Sequence, residues 1–274
     1  MKLSVLRVMF SAMLSLCCAA HTVFAAPQAE LWDRWQASDP AGIEAVDHGP
    51  WSWLLSKYVI DNHPSGVNRM AYSEVTPADK KVLDDYLGYL QGIAVSYLRR
   101  AEQLAYWVNL YNAFTVRLVV DRYPVASILK IKPGLIDKGP WDMKLMEVEQ
   151  QRISLNDIEH RILRPIWQDN RIHYAVNCAS IGCPNLQPEA FTADNMQRLL
   201  DKAAREYVNH PRGISVEAGR LRASQIYEWY QEDFGGSLES LIEHLLQYAR
   251  PELAARLEGF RGEVSYAYDW DLNE

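Results

Sequence analysis

The chain reads as a helix-rich α+β fold with a small antiparallel sheet, and three observations carry that reading. Apolar residues recur at helical spacing over long stretches, as in Val82, Leu83, Tyr86, Leu87, Leu90, Ile93, Ala94 and Tyr97. Strand-like alternation is confined to short runs near the C-terminus. No Pro-, Gly- or Ser-rich linker divides residues 26–274, which are therefore expected to form a single domain. The 9 Trp and 15 Tyr residues are too many large aromatics to leave in water, so a substantial core is expected.

The first long helix should open at Thr76, a good N-cap followed by Pro77 at the first helical position. A second runs from about Ala101 to Tyr123 and stops before Pro124. Ser154-Leu155-Asn156-Asp157 opens a shorter helix, which Pro165 is expected to interrupt. Ile172 to Val176 is β-prone and reads as a strand, broken afterwards by Gly182 and Pro184. Thr192 to Val208 returns to helical spacing. Ile214–Val216 and Arg220–Arg222 flank Glu217-Ala218-Gly219, a hairpin signal. Ser224 is placed to cap Ile226 to Phe234, with short helices at Leu238–Tyr248 and Pro251–Leu257 and a terminal strand at Val264–Tyr268.

Residues 1–25 have the pattern of a secretory signal peptide. Lys2 and Arg7 form the positive region, Val8 to Ala20 is an uncharged apolar run of about 13 residues, and Val23-Phe24-Ala25 ends in a small residue suited to cleavage. That run is short of the roughly 20 residues that span a bilayer, so an uncleaved anchor is disfavoured. A lipid anchor at Cys17 is disfavoured because Leu16 precedes it. No later segment is long and apolar enough for a membrane helix, so no membrane insertion is expected after cleavage, and the location is periplasmic or secreted. The formal charge of −7 would become −9, since Lys2 and Arg7 leave with the leader. Such a balance argues against nucleic acid as a partner. An unidentified small molecule or peptide is the expected partner, and no cofactor or metal is expected.

Two segments concentrate unusual chemistry. Glu102–Arg117 is apolar nearly all round, which marks a buried helix. Yet Glu102, Asn109 and Asn112 fall within about 80° of one another at 100° per residue, a narrow polar seam. Those amides either orient a substrate or catalytic residue, or tie down a neighbouring loop. They are expected to be buried and to reach either the 173–183 segment or Tyr268–Trp270.

Arg171–Pro184 is the densest cluster of reactive residue types, with His173, Cys178 and Cys183. Three readings compete. An exported protein with two mature cysteines invites a Cys178–Cys183 disulfide. A thiol nucleophile at Cys178 would use His173 as base, oriented by Asn109, Asn112 or Glu102. A metal site would join His173, Cys178 and Cys183, with His160, although no CxxC or HExxH pair is present. Cys178 is expected to matter more than Cys183, because it lies nearer the strand end, five residues from His173, and because Pro184 holds Cys183 in extended geometry. Trp141, Trp229 and Trp270 are candidate groove residues, and Asp269 a weaker catalytic candidate.

Three motifs together resemble the domain-of-unknown-function 547 family: Glu102–Ala113, the His173-Tyr174-Ala175-Val176-Asn177-Cys178-Ala179-Ser180-Ile181-Gly182-Cys183-Pro184 run, and Tyr266–Asn273. The resemblance spans roughly Asp84 to Asn273. It implies a bacterial protein, exported, and brings no established reaction with it. The residues support a thiol-dependent hydrolase or acyltransferase using Cys178 and His173. The alternative is a non-enzymatic periplasmic binding or assembly protein whose Cys178–Cys183 loop is a disulfide staple.

The leader reading is checked by intact-mass measurement of protein from a periplasmic extract, which should show loss of about 25 residues. A chain retaining Met1, or carrying lipid, overturns it.

Overall fold

The computed structural model describes residues 27–134 and 139–274; the expected leader lies outside them. Helices dominate. In chain order they are α1 (Gly49–Tyr58), α2 (Pro77–Gln91), α3 (Arg100–Arg122), α4 (Arg164–Trp167), α5 (Ile172–Ala175), α6 (Met196–Val208), α7 (Gln225–Trp229), α8 (Leu238–Tyr248) and α9 (Pro251–Leu257). The strands are β1 (Val59–Ile60), β2 (Arg69–Met70), β3 (Met146–Val148), β4 (Gln151–Ile153), β5 (Ile214–Glu217), β6 (Arg220–Ser224) and β7 (Val264–Ala267). β1–β2 and β3–β4 are antiparallel pairs, and β5, β6 and β7 form one three-stranded sheet.

The local rules hold where side chains cap their own helices. Thr76 accepts from the Asp79 N–H at 3.2 Å, and Ser224 accepts from the Ile226 N–H at 3.2 Å. The β5–β6 hairpin turns on Ala218 (φ 48°) and Gly219 (φ 75°), both left-handed as a two-residue primed turn requires. The sheet is not wholly antiparallel, however. β7 pairs parallel to β6, with Leu221 opposite Val264. The chain between them runs through α7, α8 and α9, the helical crossover that a parallel pairing needs.

α3 is the central element, with nearly every residue from Glu102 to Val116 buried. It sits in the larger apolar cluster with α1, α2, Ile158 and Ile162. A second cluster joins α6, β5, β6, α7 and α8 around Tyr174, Tyr207 and Tyr227.

Two expectations about backbone are corrected. Residues 172–175 are helical, not a strand. Asp169 and Asn170 open a tight turn, with the Arg171 N–H on Asp169 Oδ1 at 2.9 Å and the Ile172 and His173 N–H groups on the Asp169 and Asn170 carbonyls. The β preference of the run is a weaker influence than this turn and the packing on both of its sides. The helix that opens at Ser154 is not interrupted at Pro165. It opens with a reciprocal cap between Ser154 and Asp157, widens into a π-helix over Asp157–Leu163, and continues as α4.

The π geometry accommodates the proline. Arg164 N–H reaches back to the Glu159 carbonyl, which leaves the His160 carbonyl free, and Pro165 has no N–H to offer Arg161. Segment 27–32 fills both vacancies: Glu30 N–H donates to the His160 carbonyl and Trp32 N–H to the Arg161 carbonyl, each at 3.0 Å.

The polar seam of α3 ties segments together. Asn109 exchanges two bonds with the backbone of Phe191, at 2.6 and 3.1 Å. Asn112 donates to the Ala175 carbonyl at 2.8 Å and accepts from the Asn177 N–H at 2.8 Å. Asn112 therefore holds the exit of α5 against the buried helix. Asn112→Ala strands both backbone groups and should lower the unfolding free energy by about 2–4 kcal/mol, read as a lower urea midpoint at unchanged slope. A loss below about 0.5 kcal/mol would remove this tie from the account.

Candidate active site

A cavity of about 280 Å³ opens where the π-helix, α5, the 177–184 loop, α7 and the C-terminal segment meet. Its wall includes Tyr111, Trp141, Asp142, Glu159, His160, His173, Cys178, Cys183, Trp229, Tyr230, Tyr268 and Trp270. Two reactive clusters face it.

The first is an acid–base cluster. The widened π turn presents two neighbours, Glu159 and His160, to the same cavity. α5 supplies His173, 3% exposed. A 3-10 turn over Gln231–Phe234, following the break at Tyr230, supplies Asp233. Asp233 Oδ2 lies 2.7 Å from His173 Nε2 and 2.6 Å from Arg164 Nε, while Arg164 Nη2 reaches Oδ1 at 3.1 Å. The guanidinium also bonds the Pro27 carbonyl at 2.8 Å and His160 Nδ1 at 3.0 Å. A guanidinium can only donate, so His160 Nδ1 accepts and its proton sits on Nε2.

The same argument orients His173. Burial raises the Asp233 carboxyl, but its bonds to His173 and Arg164 outweigh this and hold it well below the usual carboxylate range. An ionised carboxylate only accepts, so His173 Nε2 donates to it. That leaves Nδ1 without a hydrogen-bond partner, 3.8 Å from Glu159 Oε1. The imidazole is stacked on Tyr230, ring centroids 4.0 Å apart. Glu159 is itself buried, with Tyr111 OH donating to Oε2 at 3.1 Å. Burial pushes its carboxyl up, but His160, His173 and Arg164 together with a Tyr230 hydrogen bond bring it below its ordinary value.

The second cluster is built on sulfur. Asn177 folds the loop over by accepting from the Ala179 N–H and donating to the Pro184 carbonyl, each at 2.8 Å. Ala179 turns left-handed (φ 58°), and the sulfur atoms of Cys178 and Cys183 meet at 2.7 Å. A disulfide bond is about 2.05 Å long. The expected staple is thus corrected: both cysteines are free thiols. Cys183 Sγ accepts the Cys178 N–H at 2.9 Å, while Cys178 Sγ lies 3.2 Å from Ser180 Oγ and 3.1 Å from Tyr268 OH. Burial and the adjacent Cys183 push the half-buried Cys178 thiol up. Burial also raises Cys183, but the Cys178 thiol, Tyr268 and the Cys178 N–H more than offset it, so Cys183 is the preferred thiolate.

The loop is held closed from outside. Gly182 N–H donates to the Asp269 carbonyl at 2.8 Å, and Ile181 N–H to that of Asp271 at 2.8 Å. A Cβ at Gly182 would come within 2.8 Å of the Asp269 carbonyl oxygen, so this approach requires glycine.

The sequence-expected residues separate cleanly. His173 and Cys178 line one cavity, but among the described residues no hydrogen bond joins them. Cys178 bonds sulfur and hydroxyl groups, whereas His173 bonds Asp233. The group that orients His173 is Asp233, not Asn109, Asn112 or Glu102. Asn112 reaches Ala175 and Asn177, as the seam expects, but Asn109 binds Phe191 outside both expected segments. Glu102 pairs with Arg99 at 3.2 Å and takes the Val46 N–H at 3.5 Å, remote from the cavity wall. Asp269 accepts the Asp271 N–H at 3.0 Å, a local turn. His160, His173 and the two cysteines do not gather into a metal-holding group; among the described residues no such cluster occurs. Trp141, Trp229 and Trp270 do line the cavity. Sequence reading missed Glu159, Arg164, Tyr230, Asp233 and Tyr268. Glu159 and Arg164 carried no distinct signal, since they share their helix with Asn156, Asp157, His160 and Arg161.

The position of Asp233 carries a stability consequence. Its carboxyl titrates lower folded than unfolded, where about 3.9 is ordinary. On acidification the unfolded state therefore takes up the proton first. The stabilisation is complete above that value and is lost as pH falls through the folded one. Urea midpoints measured from pH 6 to pH 2 should fall, and Asp233→Asn should flatten part of that fall. An unchanged acid limb in the variant would contradict the assignment.

Among the described residues, no helix is long and apolar enough to cross a membrane. No curated protein and no solved structure matches the chain. Residues 95–208 match the sequence profile of the family described as "Protein of unknown function, DUF547". The matched stretch takes in α3, the π-helix, α5 and both cysteines, and ends before Tyr230, Asp233 and Tyr268. Residues 95–208, with their buried Asn-bearing helix and their His–Cys loop, are thus a stretch of the DUF547 type.

Proposed function

We propose that the protein is a thiol-dependent acyl-transfer enzyme, a hydrolase or acyltransferase, working in this cavity. One observation supports it above others: a half-buried thiol and an Asp-oriented imidazole with a free ring nitrogen line the same small enclosure. Cys178 is the nucleophile. As its sulfur attacks the acyl carbon, its proton passes to Cys183, the sulfur it already contacts and the better thiolate of the two. The C–S bond forms, the bond from the acyl carbon to the leaving group breaks, and the leaving group takes the proton now held on Cys183, which returns that sulfur to the thiolate. Asp233 fixes His173 so that Nδ1 activates the second nucleophile, as an orienting carboxylate does in a triad. Active-site hydrogen bonds are often unformed without substrate, so the missing Cys178–His173 bond does not count against this division of labour. The leader-like residues 1–25 support a periplasmic location for the reaction.

The test is acylation by 4-nitrophenyl acetate. A burst of nitrophenolate should accompany an acetyl adduct on the peptide holding Cys178. Cys178→Ser should abolish both, and His173→Ala should slow turnover by about 100-fold or more. An adduct elsewhere, or none on folded protein, overturns the proposal and favours a binding role. A native mass two hydrogens light would show the thiols to be paired and overturn it equally.

A further inference from the structure

The acid–base cluster contains a gap. His173 Nδ1 is buried without a hydrogen-bond partner, and Glu159 Oε1 lies 3.8 Å from it. That is too far for a bond between them. His173 Nδ1 is an acceptor when the neutral ring donates from Nε2, and the Glu159 carboxylate, which takes hydrogen bonds from Tyr111 and Tyr230, has further acceptor positions, so Nδ1 is the acceptor left unfilled. A single group carrying two N–H bonds, placed about 2.8 Å from His173 Nδ1 and from Glu159 Oε1, would bond to both. An unfilled buried acceptor is costly, so Nδ1 favours a donor that reaches it from the cavity His173 and Glu159 both line.

The rest of the enclosure narrows the chemistry. Trp229, Tyr268 and Trp270 form a continuous aromatic wall, with ring centroids 4.9 Å apart for Trp229–Tyr268, 5.7 Å for Trp229–Trp270 and 4.6 Å for Tyr268–Trp270. Trp141 meets Trp270 edge-on at 5.8 Å. Successive rings are tilted by 32–67°, so they enclose a compact group and do not offer a flat stacking platform. Aromatic faces attract cations. Among the described residues the carboxylates Glu159 and Asp142 line the cavity, and no lysine or arginine does.

We propose that this site takes a primary amine as its acyl acceptor, its ammonium group received between Glu159 Oε1 and His173 Nδ1 and its carbon chain against the Trp229–Tyr268–Trp270 wall. The chemistry rests on the acylation reading above; the binding geometry does not. The bound ammonium gives one proton to His173 Nδ1, which releases it to solvent, leaving a neutral amine. The nitrogen lone pair attacks the thioester carbon of acylated Cys178. A C–N bond forms, the C–S bond breaks, and its electron pair stays on sulfur. The second N–H proton passes to that sulfur, restoring the thiol and leaving an amide.

Binding is measured by tryptophan fluorescence on the full Cys178→Ser protein, with butylamine, butan-1-ol and butyltrimethylammonium as probes. Butylamine should bind at least about tenfold tighter than either, because only it supplies both positive charge and N–H donors. Glu159→Gln, if folded, should lose most of that preference. Butyltrimethylammonium binding as well as butylamine would mean an aromatic cation cage without the two-acceptor seat, and equal binding of butan-1-ol would mean a gap for water; either overturns the proposal. On the wild-type protein with 4-nitrophenyl acetate, butylamine should divert product from acetate to N-butylacetamide, and acetate alone at saturating amine would also overturn it. The two readings fail separately: selective amine binding with an inert Cys178 sinks only the acylation, and an acylated Cys178 with three equivalent probes sinks only the amine seat.

Discussion

The bidentate pair between Arg164 and Asp233 holds the candidate site in place. Arg164 is almost wholly buried, and its donors go to three separate parts of the chain: the Asp233 carboxylate, the Pro27 carbonyl and His160 Nδ1. Breaking a buried pair by removing one partner typically costs about 3–5 kcal/mol, since the other charge is left uncompensated. Here the consequences reach further than stability. The pair fixes which nitrogen of each neighbouring histidine carries a proton. It also anchors the start of the described chain beside the cavity, where Glu30 and Trp32 supply the N–H groups that the π-helix and Pro165 leave wanting.

That π-helix links backbone geometry to chemistry. A regular α-helix would turn adjacent residues 159 and 160 about 100° apart. The wider turn lets both Glu159 and His160 line one small cavity. Such segments are uncommon because their backbone bonding is inferior, and they persist where tertiary contacts make up the deficit. The backbone bonds from segment 27–32 do so in this fold. The 177–184 loop shows the same dependence: its sulfur pair exists because Asn112, Asn177 and the C-terminal segment all grip the loop from different sides.

In the proposed reaction the thiols and the imidazole divide the work that a single hydrogen-bonded Cys–His pair performs elsewhere. Cys183 is closer to Cys178 than any histidine is, and the Cys178 N–H stabilises charge on Cys183. The sequence ranked Cys178 above Cys183 from its nearness to His173 and from Pro184, whereas the structure gives the two sulfurs different properties. Cys178 is the more accessible sulfur and Cys183 the better thiolate, and each property matters at a different moment of a nucleophilic step.

The sequence by itself determined the helical frame, the capping of α2 and α7, the β5–β6 turn, the burial of α3 and the concentration of reactive side chains in the His173–Cys183 stretch. Each follows from local rules that act over a few residues: apolar spacing, side-chain caps and left-handed turn positions. It also marked Trp141, Trp229 and Trp270 as wall residues. Only the tertiary structure decided that residues 172–175 are helical, that the helix after Ser154 passes through Pro165, and that β7 joins β6 in parallel. It alone decided that Asp233, 60 residues beyond His173 and in no motif with it, orients the imidazole. Asn109 and Asn112 looked alike on the helix, yet one serves the α6 approach and the other the site loop. The reason is common to all of these cases. Periodicity records how much of a residue is buried, but not what it is buried against, and hydrogen-bond partners are set by how distant segments meet.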